Sequence, residues 1–449
     1  MNSMVIVHLV ITILLVLFLI MKLRLNAGIA LVIGALYMGV ACGLPLDVTV
    51  QTVSQGFGGT MGGIGLTIAF GIMLGELVAV SGGIQSIAST FLKLTGVKGS
   101  IWALALTGFL VSIPVFYDVV FVILVPLAAS LSQMTKMKFE YYVGALVVGA
   151  GIAHCFVPPT PGPLASAAIL NVPLGTMIGV GIVIGIPILI ASVLVYKVFF
   201  VDRPGFWNPA KDVDVDIAAD AGSASFDSSK LPGFVASILP IALPVVFILI
   251  GTVSQAIYGK EVPAAVKFLS DRTVAMLAGT IAAYVLASTR VSHDQIDKSI
   301  SKALAASGVV LVITGAGGSL GAVLGKTDIG NVMVAASKSL RLAPVVLAFI
   351  VAVLIKLAQG SGTVAMITTA GLIAPMLQQT GSGGLWVAMA ASAGGIALGH
   401  INDSGFWVTA KTAGLTTSGG LKTYTLACTI VAVVAMVFIV IGQVLFPAL

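Results

Sequence analysis

The sequence predicts an all-α polytopic membrane protein made of two inverted-topology repeats, with about 10 transmembrane helices plus two re-entrant hairpins and broken helices. Three observations predict it. The 449 residues are 58% hydrophobic and only 8% charged, with a mean hydropathy of +1.14, where a soluble domain carries roughly 25% charged residues. No aqueous fold hides that much apolar surface, so the solvent is lipid. The chain also repeats itself about 246 residues apart: Ser112-Ile113-Pro114 with Pro126 returns as Ser361-Gly362-Thr363 with Pro375, and the stretch around His154 returns around His400. Finally, Gly, Pro, Ser and Thr interrupt both copies at matching places. Paired interruptions of this kind build the substrate sites of secondary transporters.

The elements follow in order. Residues 4–20 form the first span; Lys22 and Arg24 follow, and no small-residue cleavage site marks a signal peptide. Runs at 26–44 and 59–80 come next, then an amphipathic stretch with Ile84, Ile87, Ala88, Phe91 and Leu92 at helical spacing, suited to a membrane surface. The run 100–132 is too long for one helix and is broken by SIPVFYD, which makes a hairpin that folds back on its own side. A broken helix at 142–170 and a span at 176–200 complete a first repeat over 1–200. Residues 201–231 hold six of the 16 acidic residues and read as a flexible cytoplasmic linker. The second repeat, 232–449, has spans at 232–251, 271–287 and 303–325, and an amphipathic stretch with Ile329, Val332, Met333, Ala336 and Leu340. Its hairpin at 343–378 is broken by QGSGTVA, and a broken helix at 385–410 and a span at 423–447 follow.

Each half therefore has five spans, an odd number, so the second runs upside down relative to the first. Positive charge sets the orientation: 15 Lys and Arg fall on one side and six on the other, with Lys356 inside the second hairpin. The richer side is cytoplasmic, which puts both termini in the periplasm or outside. The net charge of +6 is thus an orientation signal, and no nucleic-acid partner is implied. Cys42, Cys155 and Cys428 lie in apolar runs without disulfide or metal spacing. With no metal cluster, phosphate-binding loop, cofactor motif or nucleophile–base pair, the sequence does not read as an enzyme. It carries no nucleotide-binding domain, so an ion gradient or the substrate gradient drives it.

Broken helices expose N–H groups at one half-helix start and carbonyls at the preceding end, attracting anions and cations respectively. The candidate substrate contacts are Ser112, Pro114, Thr160, Gly162, Ser361, Gly362, Thr363, Asn402 and Ser404. Pro and Gly can merely kink a membrane helix, but four interruptions at paired positions favour a site. Ionisable groups within the bilayer are functional candidates by default. Asp118, His154, His400 and Asp403 stand nearest the breaks and are the candidates for proton coupling, against the plainer role of neutral packing residues. Lys356 is a partner for a carboxylate or the substrate, and Glu76 a group snorkelling near a helix end.

The stretches GFGGTMGGIGLTIAFGIMLGELVAVSGG, IPVFYDVVFVILVPL, HCFVPPTPGP, GSGTVAMITTAGLIAPM and HINDSGFW, in this order along nearly the whole chain, resemble the gluconate permease family of proton symporters. The resemblance implies uptake of gluconate or a related small anionic sugar acid with protons, through a multi-pass protein of the bacterial cell inner membrane. It also implies membership of the larger ion-transporter superfamily, with two hairpins and often an elevator motion; a homodimer is left open. The family more usually carries a His in the proline loop, where this chain has Thr160, and often a basic residue near Glu76. A sodium-coupled carboxylate carrier of the same fold is the alternative, since hairpin tips with free carbonyls also hold sodium. A channel or an intramembrane enzyme is the remaining contrast.

Overall fold

The computed structural model describes residues 2–214, 231–327, 329, 331, 335, 343–380 and 383–447. Among them the secondary structure is helical apart from one isolated bridge, Val213 to Leu415. The first half runs α1 (Asn2–Met21), α2 (Ala27–Ala41), α3 (Leu46–Val80), α4 (Gly83–Thr95), α5 (Ser100–Val111), α6 (Tyr117–Thr135), α7 (Phe139–Phe156), α8 (Pro161–Ile169) and α9 (Leu174–Tyr196). The second runs α10 (Phe234–Tyr258), α11 (Arg272–Ser288), α12 (His293–Gly325), α13 (Pro344–Gln359), α14 (Gly362–Thr380), α15 (Leu385–Ile396), α16 (Ser404–Thr412) and α17 (Leu426–Leu445). By length and apolarity, seven helical stretches among the described residues can cross a bilayer, or eight if the bent α4–α5 pair counts as one. The chain is a multi-pass membrane protein. Residues 332, 333, 336 and 340 of the second amphipathic stretch lie outside the described residues, as do 215–230 of the linker.

Local chemistry explains the breaks. The run 100–132 stops helical pairing at Ser112 and resumes at Tyr117, because Pro114 supplies no N–H. Pro161 opens α8 at its first position, where a missing N–H costs nothing. Asp403 opens α16, its Oδ1 accepting from the Gly405 amide at 3.0 Å, a side-chain cap of about 1 kcal/mol. The 35-residue α3 is about 50 Å long at 1.5 Å per residue, well beyond the roughly 30 Å hydrocarbon core. It packs along α12, whose charged first turns, with Asp294, Asp297 and Lys298, belong outside the lipid. Lys302 of α12 reaches both carboxylate oxygens of Glu76 on α3 at 3.1 Å, so Glu76 is paired rather than snorkelling alone.

The broken helices are the centre of the molecule. The most apolar window of 139–169 is 94% buried inside the protein, and every residue of α15 is buried. The halves interlock around them: α8 of the first packs on α14 of the second, and α16 of the second on α6 of the first. The amphipathic α4 turns its apolar face to protein, with Ile84, Ile87 and Ala88 buried against α5 and α10 and Ser86 Oγ donating to the Pro232 carbonyl at 2.6 Å. Between α9 and the undescribed stretch, residues 208–214 dock on the segment that leads into α17. Buried Asp212 accepts from Lys422 Nζ at 2.7 Å, Ser418 Oγ at 2.6 Å and the Asn208 amide at 2.7 Å. The Asp214 amide donates to the Gly414 carbonyl at 2.9 Å.

Candidate functional site

The two breaks of the second half lie on each other. Gly360 ends α13 with φ +86°, a left-handed conformation that favours glycine, and its amide donates to the Lys356 carbonyl at 2.8 Å. A Cβ on Gly360 would stand 2.0 Å from the Asn402 carbonyl oxygen, and one on Gly362 would stand 2.6 Å from that of Gly395. The tip between α13 and α14 therefore reaches the ends of α15 and α16 only where side chains are missing. Ser361 Oγ accepts from the Val364 amide at 3.3 Å and so helps to start α14. The segment 397–403 turns the chain from α15 into α16, with the Asp403 amide donating to the His400 carbonyl at 2.8 Å.

A cavity of about 220 Å³ opens between these breaks and the first half. Ser361, Gly362 and Thr363 line it from the tip, and Asp403, Ser404 and Gly405 from the start of α16. Phe116, Tyr117 and Asp118 face it from the start of α6, and Gly151, His154 and Cys155 from α7. Three helix N-termini, those of α6, α14 and α16, thus border one small space with their partial positive charge. Its size falls below the roughly 300–1,000 Å³ typical of drug-sized pockets, which suits a small ligand.

Lys356 is the chemical centre. It sits in the last turn of α13, buried to 4% exposure. Its Nζ donates to Asp403 Oδ2 at 2.5 Å and to the Gly360 carbonyl at 2.6 Å. The same Oδ2 accepts from Tyr424 OH at 2.7 Å, and both carboxylate oxygens are thereby engaged. Tyr117 stacks on Phe121 at 5.5 Å and shares a 2.6 Å hydrogen bond with Thr409, which ties α6 to α16. His154 Nδ1 is buried with no hydrogen-bond partner among the described residues, and its ring lies 5.9 Å from that of Phe116.

Seven of the thirteen candidates for substrate contact or proton coupling meet at this cavity: Asp118, His154, Ser361, Gly362, Thr363, Asp403 and Ser404. The others stand apart from its lining. Ser112 is fully buried with its hydroxyl unpaired, and the Pro114 carbonyl lies against Gly75 of α3. Thr160 Oγ1 donates to the Val157 carbonyl at 2.8 Å, and Gly162 packs on Met366. Asn402 is exposed and donates to the Leu357 carbonyl at 2.7 Å. His400 is half-buried in the loop before Asp403. Sequence reasoning left Lys356 without a definite partner, although a lone lysine in an apolar run demands a counter-charge. Tyr424 carries no such signal. Among the described residues, no group of three His, Cys, Asp or Glu could hold a metal ion.

Comparison with known proteins fits this architecture. The family model described as GntP family permease matches residues 4–445. An uncharacterized permease of Haemophilus influenzae is 36% identical over 91% of this chain and 86% of its own. A gluconate permease of Bacillus licheniformis is 32% identical over 94% of this chain and 95% of its own. Among solved structures, the Alcanivorax borkumensis YdaH transporter aligns with a TM-score of 0.66 at 16% identity, covering 94% of this chain and 98% of that one, which bears on the fold alone. With the match running from the first helix to the last, the chain belongs to the GntP family of permeases, and its activity is transport rather than catalysis.

Proposed function

We propose that this chain is a secondary active transporter that takes up gluconate or a related sugar acid together with protons across the bacterial inner membrane. The observation that carries the reading is a buried lysine beside three helix N-termini and the hydroxyls of Ser361, Thr363 and Ser404, all around one small cavity. Such a set suits a carboxylate at one end of a ligand and hydroxyls along the rest. Relatives named gluconate permease, at 30–32% identity across nearly the full chain, support the substrate class. Asp118, His154, His400 and Asp403 are the groups proposed to carry the proton.

The architecture proposed with it is two inverted repeats, 1–200 and 232–449, joined by a cytoplasmic linker at 201–231. The breaks at 112–116 and 360–361 then become the tips of re-entrant hairpins. The recurrence of helix, break and helix in the same order in both halves supports this. A test of the function is uptake of labelled gluconate into proteoliposomes, competed by a panel of sugar acids. Accumulation driven by acid outside and indifferent to sodium is expected. Uptake that follows external sodium instead selects the sodium-coupled carrier, and absence of saturable uptake for every acid in the panel refutes both.

A further inference from the structure

Lys356 and Asp403 form a buried ion pair whose two charged groups both line the cavity. On the reading that this cavity takes an organic anion, the geometry points to a competition. The substrate carboxylate takes the Lys356 ammonium away from Asp403, and Asp403 accepts the co-transported proton as it loses its partner.

The argument is one of charge. The empty site holds one ammonium against one carboxylate and is neutral in that pair. An anion that binds Lys356 without a proton leaves an excess negative charge, and a proton on Asp403 without an anion leaves an unpaired ammonium. An uncompensated charge in such surroundings costs several kcal/mol. Only the empty pair and the doubly loaded site, with Lys356 on the substrate and Asp403 neutral, avoid it. Both can then expose the cavity to either side, and the singly loaded states cannot. One anion moves with one proton because only those two states are neutral.

The hydrogen bonds suit the exchange. Asp403 Oδ1 keeps the Gly405 amide in either state, so the carboxyl group stays in place at the start of α16. Oδ2 is shared by Lys356 and Tyr424, so when the lysine turns to the ligand the tyrosine hydroxyl remains beside it. The proton arrives from water on the uptake side, sits on a carboxylate oxygen, and leaves when the substrate departs and Lys356 returns. The titratable groups that face this pair are Tyr117 and Asp118 from α6, His154 and Cys155 from α7, and Tyr424 and Cys428 from the last helix and the turn before it. His400 lies in the same loop. The count holds while those groups carry no net charge: a fixed negative charge among them would favour the proton-only state, and a fixed positive charge the anion-only state.

The test is calorimetry of gluconate binding to purified protein in two buffers of different ionisation enthalpy, which counts protons taken up per ligand, alongside uptake in proteoliposomes. The wild type should take up one proton per gluconate. Asp403→Asn keeps the cap on Gly405 and mimics the protonated state. It should bind gluconate with no proton uptake, exchange it downhill, and fail to concentrate it when the outside is acid. Lys356→Gln should weaken gluconate binding by tenfold or more. The double variant leaves no charge unpaired, so it should fold even where Lys356→Gln does not, and it should bind equally weakly and without protons. Proton-linked binding in Asp403→Asn, or wild-type affinity in either lysine variant, overturns the competition. A wild type that binds no sugar acid at all removes the functional reading beneath it, a result distinct from either.

Discussion

Replacing Gly360 with alanine tests why the tip of the second break is glycine. The substitution carries two penalties that the structure separates. The first is conformational: φ is +86°, and a non-glycine residue in the left-handed region pays roughly 1–2 kcal/mol. The second is steric: the new Cβ would lie 2.0 Å from the Asn402 carbonyl oxygen, so tip and loop must part by about 1 Å to regain contact distance. Overpacking of that size costs about 1–3 kcal/mol. Displacements near 1 Å around a site can cost about a hundredfold in rate. Gly43 is the control. Its φ is +84° and a Cβ there meets nothing within 4 Å, so Gly43→Ala pays the first penalty alone. Thermal melting in detergent, followed by size exclusion, and gluconate uptake in proteoliposomes are the assays. Gly43→Ala should lose some stability and keep uptake; Gly360→Ala should lose more stability and most uptake. Equal losses in the two variants would refute the steric half of the reasoning.

Three further outcomes are expected. Thr363→Val removes a cavity hydroxyl while keeping shape; losing a hydrogen bond to a charged ligand, worth about 1.5–3 kcal/mol, should raise the apparent affinity constant tenfold or more in concentration-dependent uptake. Burial pushes the Asp212 carboxyl up, but hydrogen bonds from Lys422, Ser418 and the Asn208 amide outweigh it and hold the group below the usual carboxylate range. Its contribution to stability is therefore fully present above about pH 4 and is lost as pH falls through the depressed folded value; melting should show Asp212→Asn less stable than wild type at pH 7, with the gap closing in acid. On the proposed topology, a cysteine at position 220 should resist an impermeant thiol reagent in intact cells and react once membranes are opened.

The positions of the breaks were legible in the sequence, and their company was not. Pro114, Pro161, Gly360 and Asp403 each act locally, by lacking an N–H, by a left-handed turn or by capping, so each shows in a few adjacent letters. Which break residues share a cavity depends on how helices far apart in sequence cross. Ser112 and Ser361 look equivalent in the repeat, yet one hydroxyl is sealed in the core and the other borders the cavity. The pairing of Lys356 with Asp403 spans 47 positions and no local spacing records it. The apolar face of α4 shows the same limit: its periodicity says one side is buried, while only packing says that protein rather than lipid buries it.

The interlock of the halves also has a consequence for how the molecule is made. Asp403 is synthesised well after α6 and α8 have entered the bilayer, and Tyr424, which shares its carboxylate with Lys356, arrives with the last helix. Until then Lys356 sits in an apolar segment with its counter-ion still to come, a poor tenant of lipid on its own. The walls of the cavity are thus closed by the final stretch of chain to leave the ribosome. A nascent protein truncated before that stretch would hold both helical breaks of the first half and the tip between α13 and α14, but not the Tyr424 and Cys428 side of the cavity wall.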